Sequence, residues 1–477
     1  MTKFCKVCHR QDEYVLDDGL CILHCSKSTW KCDGKWNIKA VNKFWSVIRD
    51  EIMTKDEKHN FTFMVFPPMQ ISKTLKCSAD NTHTLHTAKN DHSFWRIGGE
   101  ISFNHDVDFS FSHFEEALNF HHVQFKNLKL NNVKANKIRL NQCSADIINI
   151  NKTRSKQLLL QQCSIKTVNL DSSAIEELNC KSSKIALIDF NLAQFNTLLF
   201  ENNHIAQLKA YKIKAQNIQF ESGITRRIHL LDSYSKNLLI NEMKTQSFKF
   251  ENSSAEYLSF QNTQINEYHI SKSKIENGIN MSKLIVNNLT FTHNSFGLTF
   301  TLKLRKLSAN MFSLLHNSRI NLLQIENSLL KEKFIIKHTQ LNNLVLKTLN
   351  LASAHLSLEK CTITHPNFND VKFNTLNNKT FSYDLNSLEF MYELFKEMEE
   401  KKSQHEITIL KESLNTYLKK ENQIQAVVET QISALELEEE KESKLLNIVY
   451  NVQDIITFFK YKIMQVTSSF SIRKIAL

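Results

Sequence analysis

Uncharged residues recur along the middle of the chain with a period of five. Every fifth residue from Phe120 to Ile275 is uncharged, and so is the residue two positions before each of them. No Asp, Glu, Lys, Arg or His stands at any of these positions, although 23% of the whole chain is charged. The pattern therefore marks pairs of side chains that avoid water, with one pair in every five residues.

A period of five fits neither a straight strand nor an α-helix. In a strand, residues i and i+2 share a face, so residue i+5 falls on the opposite face. In a helix, five residues turn through about 500°, so successive fifth positions spread around the axis. Both members of every pair stay inside only if the chain bends once in each unit. The pattern predicts a coil with a corner every five residues.

A second alternation predicts how many sides the coil has. The first member of the pair is large in every other unit, as at Leu128, Ile138 and Ile148, and mostly small in the units between, as at Cys143 and Ser173. A four-sided turn of twenty residues gives this alternation when opposite walls are alike, with two facing walls carrying the large residues and the other two the small ones. Residues 101–373 would form about 13 turns and a rod roughly 60–65 Å long.

On these residues the chain resembles the pentapeptide-repeat proteins, and the resemblance covers residues 101–373. It implies a mainly β fold, a right-handed quadrilateral β-helix. The chain departs from the family in carrying large residues in alternate units, where the family usually has a small one. The frame also slips by one near Asn277–Gly278 and is lost from Gly297 to Asn317. We expect these breaks to be loops or bulges.

Four cysteines near the N-terminus have the spacing of a structural zinc site. Two knuckles, Cys5-x2-Cys8 and Cys21-x3-Cys25, are separated by twelve residues, and each can bring two thiolates to one tetrahedral ion. His24 is an alternative to Cys25 as the fourth ligand. The other interpretation is a disulfide or free thiols. We therefore predict a zinc-knuckle unit over residues 1–35.

The segments on either side of the repeats are predicted to be helical. Residues 36–100 would supply a helix and the N-terminal cap of the coil, because apolar residues form one stripe between positions 36 and 53. Residues 374–477 would form a tail, since a heptad frame from Ile407 to Phe470 has 15 apolar residues at its 19 core sites. That pattern predicts a coiled coil, within the chain or between chains.

The chain shows no signal peptide and no apolar run long enough to span a bilayer, which favours a cytoplasmic location. Its ten cysteines fit a reducing compartment. Residues 445–477 carry an apolar stripe with flanking basic residues, so a peripheral position on a membrane surface is the alternative to packing in a coiled coil.

Net charge is +11, of which residues 221–373 contribute +7 by direct count. The best basic clusters for contact with a partner are Arg226, Arg227, Lys303, Arg305 and Lys306. A basic rod attracts acidic or phosphate-rich partners. Some pentapeptide-repeat proteins mimic DNA and bind type II topoisomerases, but they use an acidic rod, and the charge here has the opposite sign.

No catalytic motif is present, and a rod with flat walls and a packed interior offers no catalytic cleft, so we expect no enzyme activity. The favoured hypothesis is an interaction scaffold in which the rod binds a protein partner and the tail forms homo-oligomers or tethers the rod. The alternatives are a membrane-associated effector acting through its tail and a basic rod that binds nucleic acid.

Overall fold

The computed structural model describes residues 4–7, 19–25, 27–32, 35–54, 58–67, 76–77, 83–84, 101–373 and 381–385. These residues form a parallel β-solenoid of about 14 turns with one α-helix beside its N-terminal end. All the described residues belong to one compact unit, which lies within residues 1–406. The predicted heptads therefore lie outside the described residues, and so does the amphipathic segment 445–477.

The strands of the solenoid pair in parallel with a register of twenty residues, so that Ile138 lies beside Leu158 and Leu158 beside Leu178. Short elements precede the coil: a 3-10 turn at Ser28–Trp30, β1 (Lys31–Cys32), β2 (Lys35–Trp36), α1 (Ile38–Thr54), β3 (His59–Asn60), β4 (Val65–Phe66), β5 (Lys76–Cys77) and β6 (His83–Thr84). The first half of the coil contains β7 (Ile101–Asp108), β8 (His113–His121), β9 (Val123–Lys129), β10 (Lys134–Asn141), β11 (Ser144–Asn149), β12 (Arg154–Gln161), β13 (Ser164–Asp171), β14 (Ala174–Lys181), β15 (Lys184–Asn191), β16 (Gln194–Tyr211) and β17 (Lys214–Leu231). The second half contains β18 (Tyr234–Glu251), β19 (Ser254–Gln261), β20 (Gln264–Ser271), β21 (Lys274–Ser282), β22 (Ile285–Thr292), β23 (Ser295–Phe296), β24 (Thr301–Arg305), β25 (Ser308–Leu315), β26 (Ile320–Lys337), β27 (Gln340–Leu351), β28 (His355–Phe373) and β29 (Phe381–Leu385).

The uncharged pairs line the bore of the solenoid, as the sequence predicts. From Leu118 to Ile275 every member of the pairs is buried except Gly223, which is half-buried. Each turn has four sides, and a single residue points outward between the two inward members of each side. We name the walls A, B, C and D after the successive sides whose outward residues are Lys134, Arg139, Ser144 and Asn149.

The four corners of a turn are of two kinds. The corners between walls B and C and between walls D and A contain a residue with left-handed backbone, at ten-residue spacing, as at Gln162, Ser172 and Ser182. At the other two corners the strand continues through the bend. Gly223 follows one left-handed corner with φ 111°, and an added Cβ there would lie 2.4 Å from the Asn203 carbonyl oxygen, so this position requires glycine.

Small polar residues just after the left-handed corners pair with backbone groups inside the coil. Ser173 Oγ accepts the Thr153 N–H at 3.1 Å and donates to the Ile150 carbonyl. Asn203 makes the same link, since its Oδ1 accepts the Ser183 N–H at 2.9 Å and its Nδ2 donates to the Cys180 carbonyl at 2.6 Å. These bonds satisfy the polar groups of Ser173 and Asn203 inside the bore.

The irregular second half of the coil confirms one predicted break and corrects another. The slip near Asn277–Gly278 is a bulge, because Ala255 pairs with Ile275 whereas Tyr257 pairs with Gly278. The prediction that the frame is lost from Gly297 to Asn317 is wrong. β24 and β25 cross this segment with buried Leu302, Leu304, Leu307, Ala309, Phe312 and Leu314. Extra residues after Phe296 form a turn that displaces the frame and leaves Leu298 91% exposed.

The predicted N-terminal helix is confirmed and caps the coil. Asn37 Oδ1 accepts the N–H groups of Lys39 and Ala40, at 3.1 and 3.2 Å, which satisfies donors of the first turn. The buried face of α1 packs on β4: the rings of Phe44 and Phe66 lie 5.6 Å apart, and Phe66 stacks on Phe114 of β8 at 4.3 Å. The apolar helix thus covers an edge that would otherwise be open.

At the C-terminal end, β29 pairs with β28, so strand structure extends into the region predicted as the tail, 374–477. Among the described residues, no helix has the length and apolar character needed to cross a membrane.

Candidate metal centre

Two short segments bring cysteine and histidine side chains together beside the cap. The Lys6 N–H donates to the Gly19 carbonyl at 2.9 Å, which places Cys5 next to the segment that follows Gly19. That segment turns tightly, because the N–H groups of His24 and Cys25 both donate to the Cys21 carbonyl, at 3.0 and 2.9 Å. Cys5, Cys21 and His24 are all buried in the result.

The ligand atoms of Cys5, Cys21 and His24 all lie within 4.8 Å of one another. His24 Nδ1 is 3.8 Å from Cys5 Sγ and 3.2 Å from Cys21 Sγ. In a tetrahedral zinc site, with bonds of about 2.3 Å to sulfur and 2.0 Å to nitrogen, these S···N distances would be about 3.5 Å. The two observed distances lie on either side of that value, so the group has the geometry to hold a metal ion.

The second nitrogen of His24 is placed as a metal site needs it. Nε2 lies 3.2 Å from the Thr62 carbonyl oxygen, which can only accept a hydrogen bond. The proton of a neutral imidazole is therefore on Nε2, and Nδ1 presents its lone pair to the two sulfurs. An imidazole whose distal N–H is held by a backbone carbonyl has its tautomer and its ring orientation fixed for coordination.

Lys27 places a buried positive charge beside the cluster. Its Nζ donates to the carbonyls of Ile22, Leu23 and Cys25, at 2.9, 3.1 and 2.9 Å, and lies 3.5 Å from Cys25 Sγ. The ammonium also faces the rings of Trp30 and Phe44, at 4.8 and 5.0 Å from their centroids. A cation in this position stabilises nearby thiolates, which are the form of cysteine that binds metal.

The four predicted ligands have different outcomes. Cys5 and Cys21 come together, and His24, left open in the sequence as an alternative, is the third member of the group. Cys25 is buried nearby, where its Sγ contacts the Ile22 carbonyl at 3.5 Å and Lys27 Nζ. Cys8 lies outside the described residues. The cysteine spacing identified the two segments that form the cluster. Whether His24 or Cys25 joins Cys5 and Cys21 depends on the directions of their side chains in a tight turn, which the spacing does not give.

Cysteines of the bore have a different environment. Cys143, Cys163 and Cys180 are buried at inward positions, as the sequence predicts. Burial raises the pKa of the Cys180 thiol to about 12, so it remains protonated at neutral pH. A thiol held neutral in this way packs as a small apolar group.

The predicted basic contact residues do not form one patch. Arg226 and Arg227 lie at the corner between walls C and D, whereas Arg305 and Lys306 lie at the corner between walls B and C, four turns further along, a rise of about 19 Å. Lys303 is on wall B. Arg305 Nε is also 3.2 Å from Glu326 Oε2, which offsets its charge.

The chain matches no protein-family model, and it shows no significant similarity to a curated protein or to a solved structure. The fold is accordingly established by the strand register and the burial pattern of the chain itself.

Proposed function

We propose that the protein is a non-catalytic interaction scaffold, a quadrilateral β-helix of the pentapeptide-repeat type that binds a protein partner along wall A. The observation that carries this proposal is an open groove of about 920 Å³ on that wall, from Phe114 to Tyr234. The groove crosses seven neighbouring strands of wall A, from the strand of Phe114 through residues 134, 154, 174, 194 and 214 to that of Tyr234. Six strand spacings separate the first strand from the last, so the groove is about 29 Å long.

The charges along this groove favour an acidic partner. Lys134, Arg154, Lys156 and Lys214 line it and are exposed, against the two acidic residues Glu115 and Glu176. Uncharged polar groups such as Gln194 and Gln216 stand between them and can form hydrogen bonds to a bound chain. A long groove with rows of side chains at strand spacing suits an extended segment or a flat acidic surface of a protein.

A matched pair of charge reversals tests the groove. Arg154→Glu with Lys214→Glu changes wall A, and Lys184→Glu with Lys244→Glu makes the same change in charge, also three turns apart, on the opposite wall C. Tagged full-length proteins are compared for the partner they retain from cells of the source organism across a series of salt concentrations. We expect the wall A variant to lose a partner that wild type and the wall C variant keep. Equal recovery with all three would rule out the groove as the binding surface.

We further propose that the N-terminal cluster binds a structural zinc ion through Cys5, Cys21 and His24, with Cys8 or Cys25 as the fourth ligand. A site with four protein ligands leaves no open position for a substrate, so the ion would stabilise the unit that packs against the cap. Metal content of the purified protein, measured by atomic emission, should be one zinc per chain and should fall on Cys5→Ser.

The tail completes the proposal. Heptad residues from Ile407 to Phe470 would join copies of the chain or tether the rod, and their core sites are those expected of a coiled coil. Replacing the core residues Ile456 and Ile463 with Glu should convert oligomers to monomers in light-scattering measurements. Oligomers that survive this double change would argue against an intermolecular coiled coil.

A further inference from the structure

Three histidines form a continuous stack on the outside of the solenoid. His293, His316 and His338 occupy the left-handed position of the corner between walls D and A in three successive turns. Their rings are nearly parallel: the centroids of His293 and His316 are 4.9 Å apart, and those of His316 and His338 are 4.3 Å apart. All three histidines are exposed to solvent.

The backbone beneath this stack is held in place from inside the coil. The N–H groups of His293, His316 and His338 each donate to a carbonyl of the next turn at 2.9 Å. The residues that follow the first two histidines are the buried Asn294 and Asn317, which bond to each other at 3.0 Å. Their amides also donate to bore carbonyls, at 3.0 and 2.9 Å. The spacing of the histidines is therefore fixed by the fold, and little backbone ordering remains for a ligand to impose.

We propose that this histidine stack is a binding site for a divalent transition-metal ion, with His316 and His338 as its principal ligands. Imidazole nitrogen is a preferred ligand of Cu²⁺, Ni²⁺ and Zn²⁺. Two imidazoles on one ion, with bonds of about 2.0–2.1 Å, have their nitrogens roughly 3 Å apart. The ring centroids of His316 and His338 are 4.3 Å apart, so rotation of the exposed side chains can bring one nitrogen of each ring to this separation.

The ring separation favours the His316–His338 pair over the His293–His316 pair, at 4.3 Å against 4.9 Å between centroids, whereas lysines lie at both ends of the stack. Lys272 precedes the stack and Lys360 follows it at the same corner, and each disfavours a cation at its end. Near His338, however, Glu359 supplies a carboxylate that also pairs with Lys337, whose Nζ lies 2.7 Å from Glu359 Oε1. The shorter ring separation and the adjacent carboxylate are thus at the same end of the stack.

Asparagine substitutions allow the site to be tested without straining the corner. Asn tolerates left-handed backbone and already occupies the equivalent corner at Asn132 and Asn252. His316→Asn removes the shared ligand, while His338→Asn and His293→Asn each remove one end. His204→Asn is the control, because His204 is an exposed histidine on wall C. Each full-length protein is brought to one zinc per chain, the content expected of the N-terminal cluster alone, and is then titrated with Ni²⁺ by calorimetry.

We expect wild type and His204→Asn to bind one Ni²⁺ with the same affinity. His316→Asn and His338→Asn should bind it at least about tenfold more weakly, because loss of even a supporting partner of a metal ligand typically costs that much affinity. His293→Asn should retain most of the affinity.

Unchanged Ni²⁺ binding by His316→Asn would overturn the proposal, as would an equal loss in His204→Asn. A loss in His293→Asn with none in His338→Asn would overturn the assignment of the pair. If the stack binds inorganic pyrophosphate and not Ni²⁺, it is an anion site formed with the flanking lysines, and the metal proposal is wrong.

Discussion

The bore of the solenoid and the N-terminal cluster hold the chain together by opposite means. In the bore, dozens of uncharged pairs stack over successive turns, and any one pair resembles the next. In the cluster, Cys5, Cys21 and His24 converge once, from two short segments. Stability in the rod is therefore distributed along one dimension, whereas the cluster concentrates it at one centre.

The largest effect should follow from breaking the proposed metal centre. Cys21→Ser removes one thiolate, and structural zinc contributes apparent free energies of about 10–16 kcal/mol in small zinc units, so we expect the segment that carries Cys21 and His24 to lose protection. Limited proteolysis should cut this segment, while circular dichroism of the rod stays unchanged. Cys163→Ser is the matched control, because serine already occupies the equivalent positions Ser173 and Ser183 in the bore. Equal proteolytic resistance of Cys21→Ser and wild type would contradict a metal-stabilised unit.

This difference explains how much the sequence predicted. The rod was predictable because the pair rule repeats in every turn, so a single half-buried member such as Gly223 does not hide it. The left-handed corners were not predictable, because residues as different as Leu192, Glu242 and His316 occupy them. What the corners share is the polar residue that often follows, as at Ser173, whose bonds connect one turn to another. The segment from Gly297 to Asn317 was misread because extra residues in one turn displace the frame while the walls continue.

The cluster was predictable only in part. Cysteine spacing identified the two segments. The site occurs only once in the chain, however, so no repeated pattern indicates which of the neighbouring side chains are the ligands. His24 points to Cys5 and Cys21 because the turn after Cys21 is tight and because the Thr62 carbonyl holds the far side of the ring. Thr62 is distant in sequence, so no local pattern could reveal that contact.

A cavity in the bore should have the next largest effect. Phe220 is fully buried and stacks on Phe200 with ring centroids 4.8 Å apart. Phe220→Ala should reduce the free energy of unfolding by about 3–5 kcal/mol. Amide exchange should increase in the neighbouring turns and much less at the ends of the rod. Leu239→Ala, at an outward position of wall B, should change stability by less than about 1 kcal/mol. Similar losses for the two variants would mean that Phe220 does not face a packed interior.

The corner hydrogen bonds should contribute less than the apolar pairs. Ser173→Ala leaves the Thr153 N–H buried without its acceptor and should cost about 1–3 kcal/mol in denaturant unfolding. Ser164→Ala, on wall C and exposed, should cost almost nothing. Equal stability of the two variants would show that the polar residues behind the corners only fill space.

The smallest effect should be a gain. Tyr268 is buried in the bore between Phe248 and Phe260, and its hydroxyl has no hydrogen-bond partner among the described residues. Tyr268→Phe should raise the free energy of unfolding by about 1 kcal/mol at neutral pH, because it removes an unsatisfied polar group.

The pH dependence of this gain checks its cause. Burial raises the pKa of Tyr268 well above its ordinary value, so the folded state keeps the proton after the unfolded state has lost it. Wild type should then lose stability as pH rises above about 10, and the advantage of Tyr268→Phe should grow there. A constant difference across that pH range would mean that the hydroxyl is hydrated.

The four-walled rod itself is tested most directly by distances along one wall. Spin labels at residue 134 and at residues 214, 254 or 274 stand at outward positions of wall A, four, six and seven turns apart. Pulsed electron paramagnetic resonance should give separations that increase by about 4.8 Å for each turn, near 19, 29 and 34 Å before the label linkers are included. Separations that do not rise in proportion to the number of turns would contradict the solenoid.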